Sequence, residues 1–212
     1  LSPVRPRAKT DGEQCSEFIE AFCRITKDSI AGRSGTPITL RPWQRSLING
    51  LLERRADGRL KHRQALIGMP RKNGKSALAS GIALWGLFCG PDGGEVYSCA
   101  GDRDQARIVF GAAKRMIEMD AELSGLAKLY RDAVEVPSTG AIYRVLSAEA
   151  YTKEGLNPNL VLFDEVHVQP NDDLWNVMAP AQGAAVDPLL LGITTAGSRT
   201  DSLGRDTLCY RL

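Results

Sequence analysis

Ala65-Leu-Ile-Gly-Met-Pro-Arg-Lys-Asn-Gly-Lys-Ser76 decides the fold. Its first five residues form a short apolar run of the kind that makes a buried strand. Ser76 to Phe88 then reads as a helix, so a strand runs through a polar loop directly into a helix start. That is the setting a phosphate-binding loop requires. Gly74 lets the backbone turn tightly, so that successive N–H groups point inward at phosphate oxygens. The positive end of the following helix favours the same anion. Pro70, Arg71, Lys72, Asn73 and Gly74 form the cradle, Lys75 reaches the β and γ phosphates, and the Ser76 hydroxyl is a Mg²⁺ ligand. The usual signature, G-x-x-x-x-G-K-[ST], asks for glycine where this chain has Met69; Gly68 lies one residue too early. The plainer alternative is a lysine at an ordinary helix start.

Outward from the loop, apolar runs and amphipathic helices alternate. Glu95 to Ala100 reads as a strand and Asp102 to Met119 as a helix. Ala133–Val136 and Ala141–Leu146 flank Pro137-Ser-Thr-Gly140 and read as a hairpin. Leu160 to Phe163 is a buried strand, Asp172 to Ala181 a helix, and Leu189 to Ile193 a final strand. Alternation of this kind predicts an α/β fold with a mostly parallel central sheet flanked by helices. Upstream, residues 1–14 are expected to be a flexible arm, and apolar positions 18, 19, 22 and 25 predict a helix over Ser16 to Thr26 capped by Ser16. Ile30 to Thr39 reads as a connector, and a second helix starts at Pro42 and runs through Leu52. Glu53 to Arg63 is a charged helix end and loop.

A chain of 212 residues with 43% apolar and 25% charged residues builds one globular core, or at most two small ones. Composition excludes disorder and a disulfide-stapled miniature, and no apolar run reaches the length of a bilayer span. The polar, proline-broken start carries no secretion signal core. Lys and Arg number 27 against 25 Asp and Glu, a net charge of +2 that names no partner. The five cysteines (15, 23, 89, 99, 209) show no C-x-x-C pair and no zinc spacing, and read as reduced thiols of a cytosolic protein.

A second chemical signal is Leu160-Val-Leu-Phe-Asp164-Glu165. Ligands of a parallel sheet sit at the carboxyl ends of its strands, where this run leaves two carboxylates. Asp164 meets the Mg²⁺ shell, and Glu165 is placed to polarise an attacking water as general base. Read alone, the pair is also a common solvated strand terminus. Upstream, in Arg41-Pro-Trp-Gln44, the Gln44 amide can donate to and accept from an adenine edge, and Arg41 or Trp43 can stack on the base. The alternative for Trp43 is a core residue at a helix start. Thr194 and Thr195 end the last strand, where hydroxyls can sense a γ-phosphate. A cation for the transition-state charge is expected: Arg71 in cis, or Arg103, Arg144 or Lys153 across a subunit interface.

In order, Arg-Pro-Trp-Gln (41–44), Pro-Arg-Lys-Asn-Gly-Lys-Ser (70–76), Asp-Arg-Asp-Gln-Ala (102–106), Gly-Leu-Asn-Pro (155–158), Phe-Asp-Glu-Val-His (163–167) and Thr-Thr-Ala-Gly (194–197) resemble the ATPase domain of the large terminase subunit of tailed bacteriophages. The resemblance covers the chain from about residue 15 onward and implies a RecA-like P-loop ATPase of the additional-strand, catalytic-glutamate type, with ATP and Mg²⁺ as cofactors. By position it makes Lys75 and Ser76 the phosphate and Mg²⁺ contacts, Asp164 the Mg²⁺-side carboxylate, Glu165 the base, Gln44 the adenine reader and Thr194 to Ala196 the coupling motif. It further implies a motor that drives double-stranded DNA into a procapsid in the host cytoplasm, as a homo-oligomeric ring on the portal protein with a small terminase subunit. Family members also carry a C-terminal nuclease domain. Few residues follow Thr195, so this chain is expected to hydrolyse ATP without cutting DNA.

The closest rival is the first motor domain of a superfamily 2 helicase, since Asp164-Glu-Val-His167 spells a D-E-x-H box. A module that binds nucleotide without turnover is a third reading, opposed by Glu165.

Overall fold

β1 (Gln64–Gly68) lies at one edge of a seven-stranded sheet, the only sheet among the described residues. The computed structural model describes residues 8–70, 72–100, 103–146, 156–166, 175–178, 185 and 187–195. The other strands are β2 (Glu95–Cys99), β3 (Lys128–Leu129), β4 (Ala133–Val136), β5 (Ala141–Leu146), β6 (Leu160–Asp164) and β7 (Leu189–Thr194), in the order β1-β7-β6-β2-β5-β4-β3. β1, β7, β6, β2 and β5 run parallel to one another, and β4 and β3 add antiparallel. The expected hairpin is the β4–β5 pair, closed by a turn in which Gly140 takes φ 70°.

The parallel strands read as unbroken apolar runs because both faces are covered. Every residue of β6 and β7 is buried. One face packs on α3 (Lys75–Phe88) and α4 (Arg103–Glu118), while α1 (Asp11–Phe22) lies against α3 and α2 (Pro42–Leu51) against α1 in the same apolar cluster. Leu160 and Leu162, with Leu189, Leu191 and Ile193, point to that side. The alternate residues Val161, Phe163 and Leu190 point to the other, against Val166, Trp175 and Met178. There the Phe163 and Trp175 ring centroids stand 5.0 Å apart. Gly192 makes that approach possible, since a Cβ on it would meet Trp175 Cζ3 at 3.2 Å and Leu66 Cδ1 at 2.9 Å.

The N-terminal expectation needs correcting. α1 begins at Asp11, not at Ser16, so Asp11–Gln14 form its first turn instead of the end of an arm. Its cap is Thr10: Thr10 Oγ1 accepts from Glu13 N at 3.2 Å, and Glu13 Oε2 accepts from Thr10 N at 2.8 Å. This reciprocal capping box satisfies two donors that a helix start leaves open. Ser16 is buried inside the helix, and α1 ends at Phe22 because Cys23 is extended. Arg24 to Pro37 then form a bridged loop, with Arg24 paired to Pro37 and Ser29 to Gly32. A short helix, α5 (Ala121–Leu126), precedes β3, and neither was expected. Of the helix predicted over 172–181, residues 175–178 are helical and the remainder lies outside the described residues. No helix among the described residues is long and apolar enough to cross a membrane.

Candidate active site

The carboxyl ends of β1, β7 and β6 bring the separate sequence signals together. Gly68 pairs with Thr194, and the pairing continues one residue past β1 as Met69 N donates to Thr194 O at 2.9 Å. The loop then turns through Lys72 (φ 67°) and Gly74 (φ 78°), both left-handed, before α3 starts at Lys75. A non-glycine residue in that region is uncommon and clusters at functional sites. Lys72 therefore marks the loop as shaped for something other than stability. Gly74 is the residue just before the helix, so the open N–H groups of the first turn of α3 face the cleft.

Asp164 ends β6 on the α3 side of the sheet. Its neighbour would normally point to the opposite face, because strand side chains alternate. Glu165 instead adopts φ 49°, which breaks the extension and returns its carboxylate to the same side. Both acids therefore meet Lys75. The ammonium lies 3.2 Å from Asp164 Oδ1 and also hydrogen-bonds Glu165 Oε1. Lys75 and Asp164 are nearly enclosed, with side chains 11% and 9% exposed, while Glu165 is more open at 26%. Burial raises the Asp164 pKa above the usual carboxylate value, and Lys75 opposes that shift.

Strand order explains the spacing. β7 sits between β1 and β6, so the loop and the acids stand two strand spacings apart, about 10 Å. That gap is bridged by a lysine side chain here, and it is wide enough for a phosphate and a water. A cleft of about 320 Å³ fills it, lined by Pro70, Lys72, Gly74, Lys75, Ser76, Glu165 and Thr195 among others. A second cleft of about 270 Å³ opens onto the same loop through Lys72, Asn73, Gly74 and Ala77. Its far walls are Arg41, Trp43 and Gln44 on one side and Ile25, Ile30 and Ala31 of the bridged loop on the other. Trp43 is 40% exposed, which decides against the core reading.

The residues suit Mg²⁺ in kind. Ser76 and Asp164 offer one hydroxyl and one buried carboxylate, both hard oxygen donors, and Lys75, next to Ser76 in sequence, touches that carboxylate. Mg²⁺ takes one or two protein oxygens and fills the rest of its shell with water and phosphate. Among the described residues no group of three or more His, Cys, Asp or Glu forms a denser metal cage.

Thr194 and Thr195 are buried at the end of β7, and Thr194 Oγ1 donates to Thr195 O at 3.1 Å. Arg144 lies within β5. Arg71, Lys153, Ala196, His167 and the Arg103 side chain lie outside the described residues. The sequence reading missed the wall contributed by Ile25 and Ile30. The one available signal was an isoleucine among the polar residues of a connector, and Ile30 is in fact fully exposed.

Comparison with known proteins agrees with this geometry. The model for the terminase large subunit, ATPase domain, matches residues 42–211. The large terminase subunit of Enterobacteria phage HK97 is 33% identical over 202 residues, which cover 92% of this chain and 38% of that protein. The crystal structure of the HK97 large terminase superposes with a TM-score of 0.75 at 31% identity, covering 88% of this chain and 38% of that one. An arginine-to-alanine mutant of the Thermus phage P74-26 large terminase ATPase domain shares the fold, with a TM-score of 0.53 at 24% identity over 69% of this chain and 65% of that one. The chain thus spans about two fifths of the length of the HK97 relative. These matches favour the terminase resemblance over the helicase alternative. They extend over most of the chain and include the loop at 70–76 and the acidic pair, and on that basis the chain belongs to the family of terminase large subunit ATPase domains.

Proposed function

We propose that this chain hydrolyses ATP to ADP and phosphate, and that the hydrolysis powers movement of double-stranded viral DNA into a procapsid. The observation that carries the reading is the buried contact of Lys75 with Asp164 and Glu165 across the width of β7. In it, one cation and two carboxylates stand at the loop where phosphates are expected. ATP lies with its base in the cleft at Gln44 and Trp43, and its phosphates pass along Lys72 and Gly74 to Lys75. Lys75 leaves the carboxylates for the β and γ phosphates, which frees Glu165 to hold a water in line with the γ-phosphorus and take its proton. Ser76 and Asp164 would hold Mg²⁺, which when bound would supply neutralising charge for the phosphates. Arg71 completes the charge in cis, or Arg103, Arg144 or Lys153 does so from a neighbouring copy.

Thr194 and Thr195 join the two halves of the site, because their strand is bonded to the loop strand on one side and to the acid-bearing strand on the other. Loss of the γ-phosphate is sensed there and passed to the sheet. The working assembly is a homo-oligomeric ring on the portal protein, fed by a small terminase subunit in the cytoplasm of the infected bacterium. No DNA cleavage is assigned to these residues.

Phosphate release by the purified chain, with protein concentration and double-stranded DNA titrated, tests the proposal. Glu165→Ala should keep ATP affinity and lower turnover by roughly 10²–10⁴-fold. Lys75→Ala should weaken both. Turnover rising more than linearly with protein supports a cation supplied in trans, and linear turnover supports Arg71. Wild-type turnover in Glu165→Ala would remove the base assignment.

A further inference from the structure

Residues 53–63, between α2 and β1, hold five basic side chains against two acidic ones, a charge of +3 in a chain whose net charge is +2. The rest of the molecule is therefore close to neutral, and the positive excess is gathered in one place. That place is a hairpin. Arg55 N donates to Arg59 O and Lys61 N to Glu53 O, both at 2.8 Å, with Arg54 bridged to Leu60 between them. Gly58, at φ 81°, makes the turn. Side chains alternate across such a ribbon, which separates its cations into two sets.

Arg54 and Leu60 share the inner face. Leu60 is 7% exposed and belongs to the core. Arg54 pairs with Asp11 of α1 at 2.7 Å and with Asp187, just before β7, at 2.6 Å, and it also donates to Gly58 O. That guanidinium is committed to holding the hairpin against the domain. The outer face carries Glu53, Arg55, Arg59 and Lys61, of which Lys61 is paired to Glu53 at 2.9 Å. Arg55 and Arg59 are exposed and stand opposite each other, and among the described residues no carboxylate lies within ion-pair distance of either. Like charges set opposite one another across a ribbon destabilise it. The fold gains nothing from that arrangement, whereas a polyanion laid across the ribbon relieves it.

Resting on the reading of double-stranded DNA as the cargo, we infer that the outer face of this hairpin grips the phosphate backbone of the duplex through Arg55 and Arg59. The ribbon's one large apolar side chain is turned inward, and it carries no Phe, Tyr or Trp. It thus lacks both the aromatic anchors of a protein interface and the stacking platforms that hold single strands. What remains is a pair of guanidinium forks, which fit phosphate oxygens and read no base. Contact of that kind is indifferent to sequence, as a surface that slides along DNA must be. The hairpin runs straight into the amino end of β1, while the loop at 70–76 follows its carboxyl end, roughly 16 Å away. That distance keeps the phosphates of the duplex out of the nucleotide cleft.

Fluorescence anisotropy of a labelled duplex, titrated with the chain at several salt concentrations, tests the assignment. Arg55→Ala/Arg59→Ala should weaken binding by roughly tenfold near 50 mM salt, and should make log affinity fall less steeply with log salt by about 1.8, the share of two phosphate contacts. AT-rich and GC-rich duplexes should lose affinity equally. Arg55→Lys/Arg59→Lys keeps both charges and should keep the slope. The alanine variant should melt no lower than the wild type, since it removes opposed like charges. Should it fail to fold, Arg59→Gln alone reads the same quantity as a slope change of about 0.9.

A double variant that binds duplex with wild-type affinity and slope would overturn the inference and leave the cargo reading intact. Hairpin-dependent binding of polyglutamate that exceeds binding of duplex would overturn it too, marking a dock for an acidic protein. A wild-type chain that binds no duplex at any salt concentration would remove the cargo reading and the inference together.

Discussion

Asp164 shows what crowding two acids onto one lysine costs at the level of one residue. Two carboxylates share a single lysine, and Asp164 is the more buried of the two. Its pKa is raised above 3.8, chiefly because burial disfavours the charge. An acid whose folded pKa is raised binds more protons folded than unfolded, so stability falls as pH climbs from its ordinary value through the raised one. Once the pH stands above that raised value, the cost is fully in force. Asp164→Asn should therefore raise the melting temperature at pH 7 while lowering turnover, since it leaves one lysine facing one glutamate. A gain of 1 kcal/mol corresponds to about 2–4 °C in a domain of this size. The difference from wild type should close below pH 3.8. A lower melting temperature for Asp164→Asn would show that the Lys75 contact outweighs the burial. The thiols give an independent check on this enclosure. Cys15, Cys23 and Cys99 are buried with raised pKa values, that of Cys23 reaching about 12, whereas Cys89 is exposed. In a Cys209→Ser background, iodoacetamide should label the native chain at Cys89 alone among the described thiols.

At the scale of the element, α1 and β7 are held by features of different visibility. The start of α1 is fixed by Thr10 and Glu13, and Thr10→Ala should cost about 1 kcal/mol, measurable by denaturant titration. That box was legible as T-x-x-E, yet the apolar spacing from Phe18 onward drew the expected boundary inward to Ser16. The strands and helices of the α/β core were legible because their apolar runs are long and bounded by Gly, Pro or charge. α5 and β3 were not, being six and two residues long. Their periodicity never completes. In the site, Lys75, Asp164 and Glu165 could be picked out by type and order. Their meeting depends on Glu165 at φ 49°, a backbone choice no side-chain pattern reports. The same holds for Gly192, whose need is set by Trp175 packing from elsewhere in the chain. Gly192→Ala should destabilise by roughly 1–3 kcal/mol, with loss of native Trp175 fluorescence at lower denaturant.

For the molecule as a whole, the sheet is assembled out of sequence order. β1 is the first strand made, but among the described residues its sole neighbour is β7, with Gln64 opposite Leu190. β6 likewise waits for β7 on one side, though β2 already offers it a partner. A contact between such distant positions is closed late and slowly. During synthesis, at roughly 5–20 residues per second, the loop after β1 therefore hangs from an unpaired strand until Leu189–Thr194 have left the ribosome. Nascent chains stalled before Leu189 should protect β2 and β5 from proteolysis and leave Gln64–Gly68 open. Chains stalled well beyond Thr194 should protect both. If β1 were protected in the shorter set, another segment would be standing in for β7. On the proposed reading, the strand that spaces the two halves of the site would also set its timing: a growing polypeptide has no finished pocket with which to capture nucleotide until β7 is in place.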